Sequence, residues 1–174
     1  LVNFGYASKL EQCFNLASSK YQIPSKLLKA IAQTETKQNP LAIHVNDNHT
    51  YDIGIMQINS SWLPKLKRVG INRIDLLDGC SNIQIGAWIL AQNIKQYGFN
   101  LKAIGAYNSS IPEIQKQYAK TVLANLKEYG TVMQINYKKV LLILLLINYS
   151  FGEDLGVIAK VYSKKNILQI VSNV

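Results

Sequence analysis

The sequence predicts a mostly α-helical domain over residues 9–130. Three observations predict it. Apolar residues recur at helical spacing in several successive segments. Pro24 and Pro112 stand where helices start, and Gly98 and Gly130 stand where they stop. One stretch, 46–50, instead clusters Asn, Asp, His and Thr, which reads as a turn or short hairpin between helices. With 174 residues, 48% hydrophobic and 17% charged, the chain suits one domain with a core and a short appendage.

The elements follow in order. Residues 1–8 are a lead. In 9–21, Leu10, Cys13, Phe14, Ala17 and Tyr21 share one helical face. Pro24 opens a second helix with the stripe Leu27, Leu28, Ile31 and Ala32. It ends near Glu35, because Asn39 precedes Pro40 and is pushed out of helical geometry. Gly54 permits a tight backbone approach. Ser60 or Ser61 is expected to cap a short helix running from Leu63 to Arg68. Residues 83–97 form a long helix with Ile83, Ala87, Leu90, Ile94 and Tyr97 on one side, and 101–108 form a short one. Pro112 opens the last, carrying Ile114, Tyr118, Val122, Leu126 and Tyr129.

The tail, 131–174, differs in character. Two lysines, Lys138 and Lys139, precede a Leu/Ile/Val block within 138–151, followed by Ser150 and Gly152. About twelve apolar residues fall short of the ~20 that a membrane-spanning helix needs. The layout is that of a signal peptide, with Met133 as a candidate initiator of a joined reading frame. A buried helix or an anchor making membrane contact is the alternative. No basic or apolar leader precedes residue 9, so an amino-terminal export signal is expected to be upstream or removed.

A net charge of +9 favours anionic partners such as nucleic acid, membrane or wall polymer. No compact Lys/Arg run interleaves with aromatics, so no nucleic acid partner is expected. The two cysteines, Cys13 and Cys80, have no third ligand nearby, and no metal or other cofactor is expected. They suit one disulfide in an exported protein, worth about 4 kcal/mol on chain-entropy grounds, or else two buried thiols. His44 and His49 lie among turn residues and read as surface groups.

Glu35 is the outlier. It falls four residues after Ile31 and seven after Leu28, on the apolar stripe of its helix. Burial and the negative end of the helix dipole both disfavour its anion. A carboxylic acid held protonated near neutral pH is what glycoside cleavage needs to protonate a leaving oxygen. The alternative is a structural ion pair with a lysine such as Lys37.

Three stretches bear on that choice: AIAQTETKQNP (30–40), YDIGIMQINSSWLP (51–64) and AIGAYNSS (103–110). In this order and spacing they resemble lytic transglycosylases of the soluble Slt type. CFNLASSKYQIPSKLLKAIA and LLDGCSNIQIGAWILAQNI, including both cysteine positions, resemble the branch that serves type III and type IV secretion and conjugation machines. The resemblance covers about 10–125 and implies a lysozyme-like helical fold. It implies that Glu35 is the catalytic acid/base. It implies that Thr36, Gly54, Met56, Gln57, Asn59, Tyr107 and Asn108 line the substrate site. Gln57, Asn59 and Asn108 are expected to bond acetamido groups, and Tyr107 to orient Glu35 or the cationic intermediate. The chain departs from the pattern at Thr36 (usually Ser), at Gly79 before Cys80 (usually Pro) and at Ser109-Ser110 (usually Ala-Gly). The last pair is expected to stiffen or crowd its loop. GEDLGVIAKVY (152–162) faintly resembles the start of mature TraW-family pilus-assembly proteins.

The resemblance implies an exported, periplasmic enzyme acting on peptidoglycan, with secretion or conjugation components as partners. One carboxylate then suffices, because the C6 hydroxyl of the muramoyl sugar is the nucleophile. Asp52, in a turn-like stretch where Asp commonly bonds backbone, stands as an auxiliary candidate. A hydrolytic muramidase using Asp52, and a catalytically silent wall-binding module, are the competing readings.

Overall fold

The structure, a computed structural model, describes residues 3–128. Its elements are α1 (Asn3–Tyr21), α2 (Ser25–Thr36), β1 (Ile43–Val45), β2 (Tyr51–Ile53), β3 (Ile58–Asn59), α3 (Leu63–Lys67), α4 (Gly79–Tyr97), α5 (Leu101–Gly105) and α6, residues 112–128. Two 3₁₀ turns, Ser60–Trp62 and Arg73–Leu77, complete the list. The domain is mostly helical, as the sequence predicts.

α4 is the axis of the fold. It packs against α1, α5, β3 and the second 3₁₀ turn. Its buried face runs through Ile83, Gly86, Ala87 and Leu90, meeting a core that includes Phe14, Leu27, Leu28, Ile31 and Ile53. Each such large side chain contributes about 1.5–3 kcal/mol by leaving water. A disulfide joins Cys13 of α1 to Cys80 in the first turn of α4, with Cα atoms 5.2 Å apart. It closes a separation of 67 residues, so it restricts the unfolded chain strongly.

Several boundaries differ from the sequence reading. α1 starts at Asn3, so most of the 1–8 lead is helical. Its first turns expose Gly5, Ala7 and Ser8, and an exposed turn carries no apolar period to detect. α4 starts at Gly79, four residues before Ile83, because Asp78 accepts the Ser81 N–H at 2.8 Å. That bond, above all, lowers the Asp78 pKa. Neither Ser60 nor Ser61 caps the 60–67 segment. Asn59 does, its Oδ1 accepting from the Ser61 N–H at 2.9 Å. The short helix 101–108 is regular only to Gly105, and turns follow.

The hairpin expected around 46–50 is present, extended by a third strand. The antiparallel order is β1-β2-β3, with Ile43 opposite Ile53 and Asp52 opposite both His44 and Asn59. Such short strands lack the alternation that would announce them. Among the described residues no helix is long and apolar enough to cross a membrane. The tail readings, 131–174 with 138–151 and 152–162, lie outside the described residues.

Candidate active site

Glu35 occupies the last turn of α2 and is part-buried. Its partner is Tyr118 of α6, whose hydroxyl donates to Glu35 Oε1 at 2.5 Å. Lys37, the lysine considered from sequence, instead ends the helix in a left-handed conformation at φ 54°. Its N–H closes on Gln33 O, so the backbone turns away after Thr36. Burial pushes the Glu35 carboxyl up to about 7; the Tyr118 bond opposes this and the Asp52 charge adds to it. The neutral acid is therefore favoured to a much higher pH than for an ordinary glutamate.

Two stacked phenols support Glu35. Tyr107 and Tyr118 lie 6.5 Å apart at 15° between planes. Tyr107 donates to Met56 O at 2.9 Å. Burial, then the charge of Glu35, holds both phenols well above the usual tyrosine range. They stay neutral donors at any pH where Glu35 titrates.

The 54–57 turn is fixed from below by Asn82. This fully buried amide donates from Nδ2 to Ile53 O and Leu76 O, both at 2.8 Å. Its Oδ1 accepts the Met56 N–H at 2.8 Å. Gly54 has φ 77°, and a Cβ there would stand 2.3 Å from Asn82 Nδ2. Gly86 of α4 has the same role beneath Tyr107. A Cβ there would meet Met56 Cβ and the Tyr107 hydroxyl at 2.8 Å each.

Four of the residues expected to line the site thus hold its frame. Thr36 Oγ1 donates to Ile55 O at 3.0 Å, tying α2 to the turn, so the hydroxyl retained from the usual Ser is used structurally. The Met56 side chain is buried, and Gly54 is close-packed. Gln57, at φ 47°, spends its amide on Gly54 O at 2.9 Å. Asn59 is also committed internally. Its Nδ2 donates to Asp52 Oδ1 at 2.7 Å while its Oδ1 caps Ser61. The acetamido contacts expected of Gln57 and Asn59 would compete with these bonds.

Asp52 does not bond backbone as its turn-like surroundings suggested. Asn59 and Asn46 donate to its two oxygens at 2.7 and 2.8 Å. Asn108 is exposed beside a groove of about 410 Å³ lined also by Thr34, Glu113, Ile114, Gln117 and Tyr118. Ser109 leads into α6: its Oγ accepts the Ile111 N–H at 3.1 Å and its carbonyl accepts from buried Gln115 at 2.8 Å. The Ser109 hydroxyl is thus committed within its own loop. His44 and His49 are exposed. Among the described residues no three His, Cys, Asp or Glu side chains gather as a metal site.

Sequence reasoning missed Tyr118, Asn82 and Gly86 as site residues. Each carried a signal. Tyr118 is a phenol on an apolar stripe, which needs a partner when buried. Asn82 is a carboxamide on the buried face of α4. Gly86 sits inside a long helix, where glycine costs about 1 kcal/mol without a packing reason.

The chain is similar to known proteins over this region. The sequence model of the transglycosylase SLT domain matches residues 12–129. Invasion protein IagB of Salmonella typhi is 40% identical over 121 residues, covering 67% of this chain and 76% of that protein. Protein IpgF of Shigella sonnei is 37% identical over 110 residues, covering 62% and 72%. The X polypeptide of Escherichia coli is 38% identical over 106 residues, covering 60% and 63%. With a helical core closed around Glu35 and a family match over most of its length, the chain belongs to the transglycosylase SLT domain family and is a lytic transglycosylase.

Proposed function

We propose that the chain cleaves the β-1,4 bond from N-acetylmuramic acid to N-acetylglucosamine in peptidoglycan, with Glu35 as acid and then base. The observation that carries this reading is the Glu35 carboxyl, raised to about 7 and anchored by Tyr118 through Oε1. With Oε1 engaged, Oε2 is the oxygen that presents the proton. Glu35 protonates the bridging oxygen as the C1–O bond breaks and positive charge develops on the muramoyl ring. The resulting carboxylate takes the proton of the C6 hydroxyl, whose oxygen attacks C1. A 1,6-anhydro ring forms, Glu35 is protonated again, and no water is consumed. The attacking group belongs to the substrate, so its effective concentration is high. Tyr107 and Tyr118 keep Glu35 in place, and Asn108 at the groove is the amide best exposed to a sugar acetamido group.

A second reading is hydrolysis. The ordered Asp52 carboxylate, whose charge reaches Glu35, favours it. Asp52 would then activate water or stabilise the cation. Mass spectrometry of digested sacculi separates the two, since anhydro ends are one water lighter than reducing ends. Anhydro products, absent with Glu35→Gln, are expected; reducing ends alone would sink the transglycosylase mechanism. Equal clearing by wild type and Glu35→Gln, or none from either, would remove Glu35 from catalysis.

The expected setting is the periplasm, where the enzyme opens wall for a secretion or conjugation apparatus. The MQIN segment and both cysteine positions, with the invasion-protein name of a relative, support this. A strain lacking the gene should assemble fewer secretion or conjugation structures, restored by wild type and not by Glu35→Gln.

A further inference from the structure

We propose that Asn125 and Thr34 are a positioning pair: their bond sets the line of α6 against α2 and so brings the Tyr118 hydroxyl onto Glu35. This rests on the reading of Glu35 as the acid. Thr34 precedes Glu35 in the last turn of α2, and Asn125 lies two turns beyond Tyr118 on α6. Asn125 Nδ2 donates to Thr34 Oγ1 at 2.8 Å. The Thr34 hydroxyl in turn donates to Ala30 O at 2.8 Å, one turn back in its own helix. Its proton is therefore spent, and its oxygen serves the facing helix as an acceptor. A carboxamide N–H fits that acceptor, and both residues are part-buried.

The spacing of the two bonds gives the pair its role. Tyr118 and Asn125 are seven residues apart, about 10 Å along α6 and within about 20° of the same face. Their partners, Glu35 and Thr34, are neighbours at the end of α2. One bond would leave α6 free to pivot about it; two, this far apart, fix its direction as well. The start of α6 is held otherwise. Gln115 donates to Ser109 O at 2.8 Å and packs so closely on Gly105 that a Cβ there would stand 2.5 Å from Gln115 O. Past Tyr118, buried Ala119 and Val122 hold the helix by apolar contact, which is non-directional. Asn125 adds the directional contact, on the same stripe, where an apolar residue would lose less on burial. The groups that bear on the Glu35 charge are Tyr118 from α6, Tyr107 from the turn after α5 and Asp52 from β2. Asn125 carries no charge, so it acts on Glu35 through where it places Tyr118.

The test reads the Glu35 carboxyl directly, by carboxyl-carbon NMR titration of the full chain, with Glu35→Gln assigning its signal. Asn125→Leu, close in size but without a donor, weakens the Tyr118 bond that lowers the Glu35 pKa. Glu35 should therefore titrate at higher pH than in wild type, displaced in the same direction as in Tyr118→Phe and by less. In a Tyr118→Phe background, Asn125→Leu should move it no further. Thr34→Val should act as Asn125→Leu does. Thr34→Ser keeps the acceptor and should leave the titration where it was. In Asn125→Leu, kcat should fall about threefold to tenfold with KM little changed. The double variant Thr34→Val/Asn125→Leu separates positioning from stability and carries the measurement if either single variant unfolds. Two apolar partners restore stability, yet the Glu35 titration should stay displaced. A titration unmoved in Asn125→Leu, moved equally with and without the Tyr118 hydroxyl, or restored together with stability in the double variant overturns the positioning role. The titration needs no turnover, so its outcome is independent of which products Glu35 makes.

Discussion

The Tyr118 hydroxyl, 2.5 Å from Glu35 Oε1, links a carboxyl at the end of α2 to a phenol on α6, 83 residues later. It anchors the carboxyl and partly offsets the rise in its pKa that burial causes. Removing it in Tyr118→Phe takes away the one influence that lowers the Glu35 pKa, leaving burial and Asp52 to raise it further. The alkaline limb of the kcat/KM profile should move to higher pH than in wild type. The maximal rate should fall about tenfold, since the carboxyl loses its anchor. A pH–rate series on a soluble muropeptide checks both. An unmoved limb would show that Tyr118 only fills space.

Asp52→Asn acts with the opposite sign. The Asp52 charge raises the Glu35 pKa, so its removal should move the alkaline limb to lower pH. The substitution also turns an amide donor toward Asn46 or Asn59, both of which donate to Asp52. One part-buried N–H then loses its Asp52 acceptor, while both amides keep their bond to Thr50 Oγ1, so the cost in stability is about 1 kcal/mol. In the intramolecular mechanism the variant keeps making anhydro ends at reduced rate. Complete loss of cleavage in a folded variant would favour the hydrolytic reading.

Much of the fold was legible because it rests on period and punctuation. The α2 stripe, the Gly98 stop and the Pro112 start are local features, and local features survive in sequence. Glu35 was legible for the same reason: a carboxylate on an apolar stripe is visible without coordinates. Its partner was not. Tyr118 lies on another helix, and on its own stripe it reads as core. The partners of Gln57 and Asn59 are not legible, because an amide in a loop looks the same in sequence whether it faces a sugar or its own loop. Only the 2.9 Å bond to Gly54 O and the 2.7 Å bond to Asp52 distinguish them. Asn82 was passed over because sequence shows a polar residue in a helix, not the three backbone groups it serves.

Glu35 also costs stability at neutral pH. Its pKa is raised from 4.5 to about 7 in the folded state. Between these values the folded protein holds a proton that the unfolded chain has released, so stability falls as pH rises. The loss begins near pH 4.5 and is complete just above 7, at about 3 kcal/mol. Glu35→Gln has no such proton to lose. It should unfold at a higher temperature than wild type at pH 8, and the gap should close at pH 4.5. Thermal unfolding at the two pH values checks this. A gap independent of pH would mean that Glu35 is not the group responsible.

Gly86→Ala separates activity from stability. Alanine is the better helix former by about 1 kcal/mol, which favours the variant. The added methyl, however, would meet the Tyr107 hydroxyl and Met56 Cβ at 2.8 Å. Relieving that contact costs about 1–3 kcal/mol, so net stability should fall by no more than about 2 kcal/mol. The rate should suffer more. Tyr107 is held by Met56 O and stacks on Tyr118, which holds Glu35, so the displaced phenol shifts the whole chain of contacts. A misplacement of about 1 Å at the acid can cost a hundredfold. The expected result is a melting temperature lowered by no more than about 8 °C, with kcat lowered tenfold or more and KM little changed. Equal activity in the two proteins would show that Tyr107 tolerates movement and takes no part in positioning Glu35.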